Sequence, residues 1–149
     1  MSQSILNTLR EEHRYIEGIV IQILACNEIV EKKSLYLQLE EELFPHMAGE
    51  EKTIYVHLMK DVHDEEAEEV AQRSINEHEG IRNLFAKLDN IGIESDEWDS
   101  TFRKLSEAVR KHIKEEERVL FTEAKVDFSV EELVEFGDEF IEVKQHMSL

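Results

Sequence analysis

Two ten-residue stretches carry the side chains best suited to chemistry. HMAGEEKTIY, residues 46 to 55, sets His46 four residues ahead of Glu50, and HIKEEERVLF, residues 112 to 121, sets His112 four ahead of Glu116. The two agree in the histidine, both glutamates, the basic residue, the aliphatic and the closing aromatic. Upstream, EHRYI at 12–16 matches EHEGI at 77–81 and adds His13 and His78. The interval between histidines is 33 residues from 13 to 46 and 34 from 78 to 112. Residues four apart on a helix share a face and differ by about 6 Å along its axis, so each His-x-x-x-Glu can aim both side chains at one centre. Burying four imidazoles and two carboxylates together without a partner is costly, and a metal removes that cost. Two carboxylates among four imidazoles suit two bridged cations better than one. Mixed nitrogen and oxygen donors favour iron, with manganese or zinc as possible substitutes, and the lack of cysteine ligands argues against a structural zinc.

The elements that must position these groups read as helices. Apolar residues recur at steps of three and four almost throughout. Leu9, Ile16, Val20, Ile23 and Val30 form one stripe, which His13 joins. Leu39, Leu43 and Ile54 form a second, carrying His46 and Glu50; Val70, Ile81, Phe85 and Leu88 a third, carrying Ser74 and His78. Phe102, Leu105, Val109 and Val119 form a fourth, carrying His112 and Glu116. Breaks are expected near 31–34, 62–65 and 90–97, and Pro45 predicts a kink or bulge just before His46. A capping box at Ser129 and Glu132 opens a shorter closing helix to about residue 146. The expected fold is all-α: an up-down-up-down four-helix bundle with a short additional C-terminal helix. It forms one domain over 1–149, built from two similar helix-pair halves, about 1–64 and 65–128, plus the helix at 129–146. Reflected about the expected turns, the four histidines and two glutamates fall at one level of the bundle.

Composition narrows the function. The formal charge is −18 and the pI near 4.7, so nucleic acid and anionic membranes would be repelled. The longest apolar run, GIVIQILA, is too short to span a bilayer, and MSQSILNTLREE lacks the layout of a signal peptide. A single cysteine, Cys26, reads as a small buried hydrophobe and suits a reducing, cytoplasmic setting.

With these motifs in place the chain resembles the hemerythrin family, in the form called the HHE cation-binding domain, over nearly its whole length. SVEELVEFGDEF is similar to the tail of many such domains. The resemblance implies that His13 and His46 bind one iron and His78 and His112 the other. Glu50 and Glu116 would bridge them, with an oxo or hydroxo group as third bridge. Ferritin-like di-iron bundles use Glu-x-x-His instead, and here no glutamate precedes a histidine by three. Two features depart from the family pattern. Oxygen-carrying members have another histidine where this chain has Ser74, which leaves a further coordination position open. The animal proteins place the last carboxylate five residues after its histidine, so Glu117 competes with Glu116; the internal match to Glu50 favours Glu116.

Around the six, Glu12, Glu77 or Glu79 could accept an imidazole N–H, and Glu51 and Glu117 read as solvated or supporting groups. His57 and its counterpart Glu123 are expected to form a buried hydrogen-bonded or ionic pair, with an accessory metal site as the alternative. His63 and His146 read as surface groups, and Tyr15, Tyr55, Trp98 and Phe121 as packing residues. The leading expectation is binding or sensing of dioxygen or a similar small diatomic. Redox reaction with peroxide, nitric oxide or dioxygen, and iron handling or repair of iron centres, are the alternatives. No catalytic base or nucleophile can be named.

Overall fold

In a computed structural model of the chain, residues 2–147 are described; residues 1, 148 and 149 at the edges of the predicted domain lie outside them. The described residues are helical with no strand. In order they form α1 (Ile5–Ala25), α2 (Ile29–Lys52), α3 (Ile54–Lys60), α4 (Glu65–Leu88), α5 (Asp96–Glu115), a π turn (Glu116–Leu120), α6 (Phe121–Asp127) and α7 (Val130–Met147). Because α3 prolongs α2 and α6 prolongs α5, four long rods make the expected bundle. The fifth helix, α7, packs along α1 and α2.

Local chemistry explains the ends. Ser4, Asp64 and Ser95 accept backbone N–H groups at the starts of α1, α4 and α5. Asp64 is followed by Glu65, Glu66 and Glu68, where the helix dipole favours negative charge. The capping box before α7 forms in both directions, Ser129 N–H to Glu132 at 2.9 Å and Glu132 N–H to Ser129 at 3.1 Å.

One sequence expectation is corrected here. The first turn falls at residues 26–28, not 31–34, because Glu28 caps the N–H groups of Val30 and Glu31 and starts α2 earlier. Val30 is therefore on α2 and faces solvent, 73% exposed. Pro45 does not interrupt α2, which is helical from Ile29 to Lys52. The carbonyl that Pro45 cannot serve belongs to Glu41, on the exposed face, where water can satisfy it. The irregularities come later, just after each inward glutamate: at Thr53, with φ −122° and ψ −95°, and in the π turn.

Two hydrophobic clusters fill the bundle. One, including Ile16, Leu39, Phe85 and Phe102, occupies the end near the first and third turns; the other, including Leu9, Tyr55, Phe121 and Phe140, occupies the opposite end. Between them lies a polar layer. His13, His46, Glu50, His78, His112 and Glu116 are all at most 4% exposed, each on a rod that contributes to both clusters.

Candidate metal centre

All six predicted residues meet in that layer. Their donor atoms form two sets: His13, His46, Glu50 and Glu116, and Glu50, His78, His112 and Glu116. Within each set the atoms lie within 4.8 Å of one another. Both sets share the two glutamates. Glu50 Oε1 is 3.2 Å from His46 Nε2 and 3.2 Å from His78 Nε2, so it touches both halves of the chain. Glu116 does the same, 3.1 Å from His13 Nε2 and 3.5 Å from His112 Nε2.

The outer edge of each imidazole is fixed by a different carboxylate. His13 Nδ1 donates to Glu117 at 2.7 Å, His46 Nδ1 to Glu12 at 2.8 Å, His78 Nδ1 to Glu51 at 2.6 Å and His112 Nδ1 to Glu77 at 2.7 Å. A proton on Nδ1 leaves the Nε2 lone pair facing inward, the tautomer a cation needs. The rule is simple: the glutamate before each half's first histidine holds that half's second histidine. The glutamate after each inward Glu holds the first histidine of the other half. Glu117 is thereby an outer group, and the inward position belongs to Glu116. Glu79 instead pairs with Arg82.

Three of the outer carboxylates are backed by cations. Arg82 grips Glu51 through two contacts of 2.9 Å, Arg14 pairs with Glu117, and Lys144 of α7 reaches Glu12. Burial works to raise Glu12, Glu51 and Glu117, but the imidazole each one holds and then these cations keep them below the usual carboxylate range. Glu77 meets Glu115 in place of a cation.

The donor set fits a cation on the evidence of its orphaned atoms. His13 Nε2, His46 Nε2, both oxygens of Glu50 and Glu116 Oε1 are buried without a hydrogen-bond partner, although ion-pair distances separate them. They are near enough to attract but aimed at common points rather than at each other. Such convergence in a dry layer is expensive unless positive charge sits there. The imidazoles register the same demand. Burial works to lower His46, yet Glu50 and Glu12 push it up to about 10; His112 is likewise raised to about 10 by Glu116 and Glu77. His13 is also raised, by Glu116 and Glu117 against burial. The Glu116 carboxyl lies well below its ordinary value, burial being outweighed by the approach of Glu50, His112 and His13.

One site residue goes beyond the packing role its sequence suggests. The fully buried Tyr55 donates its hydroxyl to Glu116, lies 3.3 Å from His78 Nε2, and also meets Ser74. Burial, then the charges of Glu116 and Glu50, raise the phenol far above its usual pKa, so it keeps its proton. Its counterpart in the repeat is Phe121, which stacks on His13 with no hydroxyl to offer. That mismatch of Tyr against Phe was the available signal. The expected pairing of His57 and Glu123 is not made. His57 binds Asp61 at 2.6 Å and Glu139 at 3.2 Å and stacks on Phe136, while Glu123 pairs with Asp127. His63 and His146 are exposed as expected; Cys26 is half-buried, its thiol directed to the Glu28 carbonyl.

A helical bundle whose interior carries this His/Glu layer defines a cation-binding class. The chain belongs to the hemerythrin family: the profile described as Hemerythrin HHE cation binding domain matches residues 4–124. A crystal structure of a hemerythrin HHE cation binding domain-containing protein from Mycobacterium kansasii superposes with a TM-score of 0.83 at 20% identity. The match covers 96% of this chain and 86% of that one. An uncharacterised hemerythrin-like protein of Schizosaccharomyces pombe is 24% identical over 141 residues, covering 95% of this chain and 69% of the relative. A DNA nickase of Nostoc is 20% identical over 137 residues, covering 92% of this chain but only 38% of the relative. No helix among the described residues is long and apolar enough to cross a membrane.

Proposed function

We propose that the chain is a non-haem di-iron protein that binds or senses dioxygen or a related small diatomic. His13 and His46 would hold one iron, His78 and His112 the other, and Glu50 and Glu116 would bridge the pair. The observation that carries this reading is that both glutamates reach a histidine of each half while both Glu50 oxygens and Glu116 Oε1 lack hydrogen-bond partners. Two imidazoles and two shared carboxylates would hold each ion, a donor set that suits iron and would leave it able to take up solvent or a guest. Manganese or zinc would find the same donors. When bound, such a pair of irons supplies electrons and vacant positions to a small ligand. The chain's own part is to orient four imidazoles through Glu12, Glu51, Glu77 and Glu117, to exclude bulk water with two apolar clusters, and to hold a proton at Tyr55 Oη beside Glu116.

Iron analysis of protein produced with iron available should give near two irons per chain, the number that two bridged sites require. A single tight zinc, or no metal after iron reconstitution, would overturn the proposal. The double change Glu50→Ala and Glu116→Ala should abolish most metal binding while helicity by circular dichroism survives.

A redox role is favoured by one specific feature. Ser74 stands where oxygen carriers place a further histidine, and Tyr55 puts a proton donor beside the same position. Spectra of the reduced protein in air separate the readings. An absorption band that forms and then disappears under vacuum supports reversible binding, and irreversible oxidation of both irons supports reaction with dioxygen, peroxide or nitric oxide. Iron handling would show as metal transfer to a second protein. The DNA nickase similarity does not alter this ranking, since a chain of charge −18 is repelled by a phosphate backbone.

A further inference from the structure

The two halves match at the metal layer but not at the surface above it. Where α2 carries Gly49, the repeat places Glu115 on α5, one residue before each inward glutamate. Gly49 has no side chain because Phe140 of α7 lies on it: a Cβ there would come within 2.6 Å of the Phe140 ring and 3.3 Å of Lys144. The Phe140 ring centre is 6.1 Å from that of His46, and Lys144 reaches over to Glu12. Helix α7 thus closes the surface above the His46 side.

Helix α7 makes its main contacts with α1 and α2, both of the first half. Between α4 and the π turn runs a narrow cleft lined by Val70, Arg73, Ser74, Glu77, Val119 and Leu120, together with Glu115 and Glu116 themselves. Its free interior of about 10 Å³ is room for roughly one water-sized guest. Its floor is the inward carboxylate Glu116 and the Ser74 hydroxyl that meets Tyr55. Val119, in the π turn, lines the cleft and is partly buried, whereas the matched residue in the first half, Thr53, is fully buried and bonded to the Gly49 carbonyl at 2.7 Å. Ser74 is small, and a larger side chain at this position would stand in the floor.

We propose that small molecules reach the centre through this cleft, on the His78 and His112 side, with Ser74 and Val119 setting the size of what passes. The space available admits roughly one water-sized group at a time, so the guest must be a very small molecule. The inference rests on the di-iron reading above.

The test uses the full chain loaded with ferrous iron, nitric oxide as the probe, and stopped-flow absorbance to obtain association and dissociation rates. Val119→Phe narrows the cleft and Val119→Ala widens it; Val126→Phe, a 78% exposed position off the cleft, is the control. A gate changes both rates without changing their ratio. Val119→Phe should slow association and dissociation together by about tenfold, with affinity and iron content kept. Val119→Ala should speed both, which keeps the test decisive should the larger side chain disturb folding. Rates in both Val119 variants equal to those of the wild type and of Val126→Phe would overturn the inference, as would altered affinity without matched changes in the two rates. A chain that takes up no iron, or whose irons bind no nitric oxide, sinks the di-iron reading itself; a loaded chain with unaltered rates sinks only the access route.

Discussion

Replacing Gly49 by alanine tests the docking of α7. A glycine inside a helix ordinarily costs about 1 kcal/mol relative to alanine, so the substitution should stabilise α2 wherever space exists. At Gly18 and Gly80 it does exist: nothing lies within 4 Å of the added Cβ. At Gly49 the new methyl would come within 2.6 Å and 2.9 Å of two Phe140 ring atoms and 3.3 Å of Lys144. Phe140 is fully buried, packed in the same cluster as Phe136 and Leu9, so the ring cannot turn aside cheaply. Overpacking of this kind costs roughly 1–3 kcal/mol. Subtracting the propensity gain leaves Gly49→Ala destabilising by about 1 kcal/mol, while Gly18→Ala gains roughly a few tenths to 1 kcal/mol. For a chain of this size each kcal/mol moves the melting temperature by about 2–4 °C. Metal-free protein should therefore melt a few degrees lower with Gly49→Ala and slightly higher with Gly18→Ala. The damage should be local, so limited proteolysis should cut residues 129–147 first in the Gly49 variant. Equal melting temperatures for the two variants, or a stabilised Gly49→Ala, would refute the claim that α7 is seated by the missing side chain.

Three further outcomes follow from the same geometry. Tyr55→Phe leaves one Glu116 oxygen without its buried donor, so metal-free protein should lose about 1–3 kcal/mol in urea titrations, whereas Phe121→Tyr on the other half should not restore it. Lys144→Met removes the cation behind Glu12 and should weaken metal retention against a chelator on the His46 side, with fast loss of one ion before the other. Glu123 is raised to about 7 by Asp127, by burial and by the charges of Glu66 and Asp64. A carboxyl whose folded pKa exceeds its unfolded value of about 4.5 costs nothing below that pH and its full penalty above about pH 7. Glu123→Gln should accordingly stabilise the protein above about pH 7, by under about 1 kcal/mol because solvent screens this surface group. The gain should vanish by about pH 4.5 in melts at matched ionic strength.

The ligand layer is legible in the sequence for a definite reason. A buried His or Glu at helical spacing is a costly choice, and making it at the same intervals in two halves marks positions that share a burden. Periodicity also recovers the rods, because it reports which face is buried. It cannot report what covers that face. Nothing local to Gly49 names Phe140, far along the chain, and nothing in Glu12 names Lys144. The first turn is misplaced for the opposite reason: Glu28 is an unusual cap, and Val30 sits at a helical step from Ile23 although the chain has already reversed between them. Tyr55 reads as packing because its ring does pack; only the hydroxyl, absent from Phe121, carries the extra role.

The residues that periodicity passes over share one feature: most of them break the symmetry of the repeat. The matched residues, His13 with His78, His46 with His112 and Glu50 with Glu116, build a layer that treats both halves alike. The unmatched ones, Gly49 against Glu115, Tyr55 against Phe121 and Thr53 against Val119, make the halves differ in cover, proton donor and backbone width. Under the access route proposed above, one side covered by α7 and a cleft on the other, with the buried phenol beside the cleft, would admit a guest from the second half.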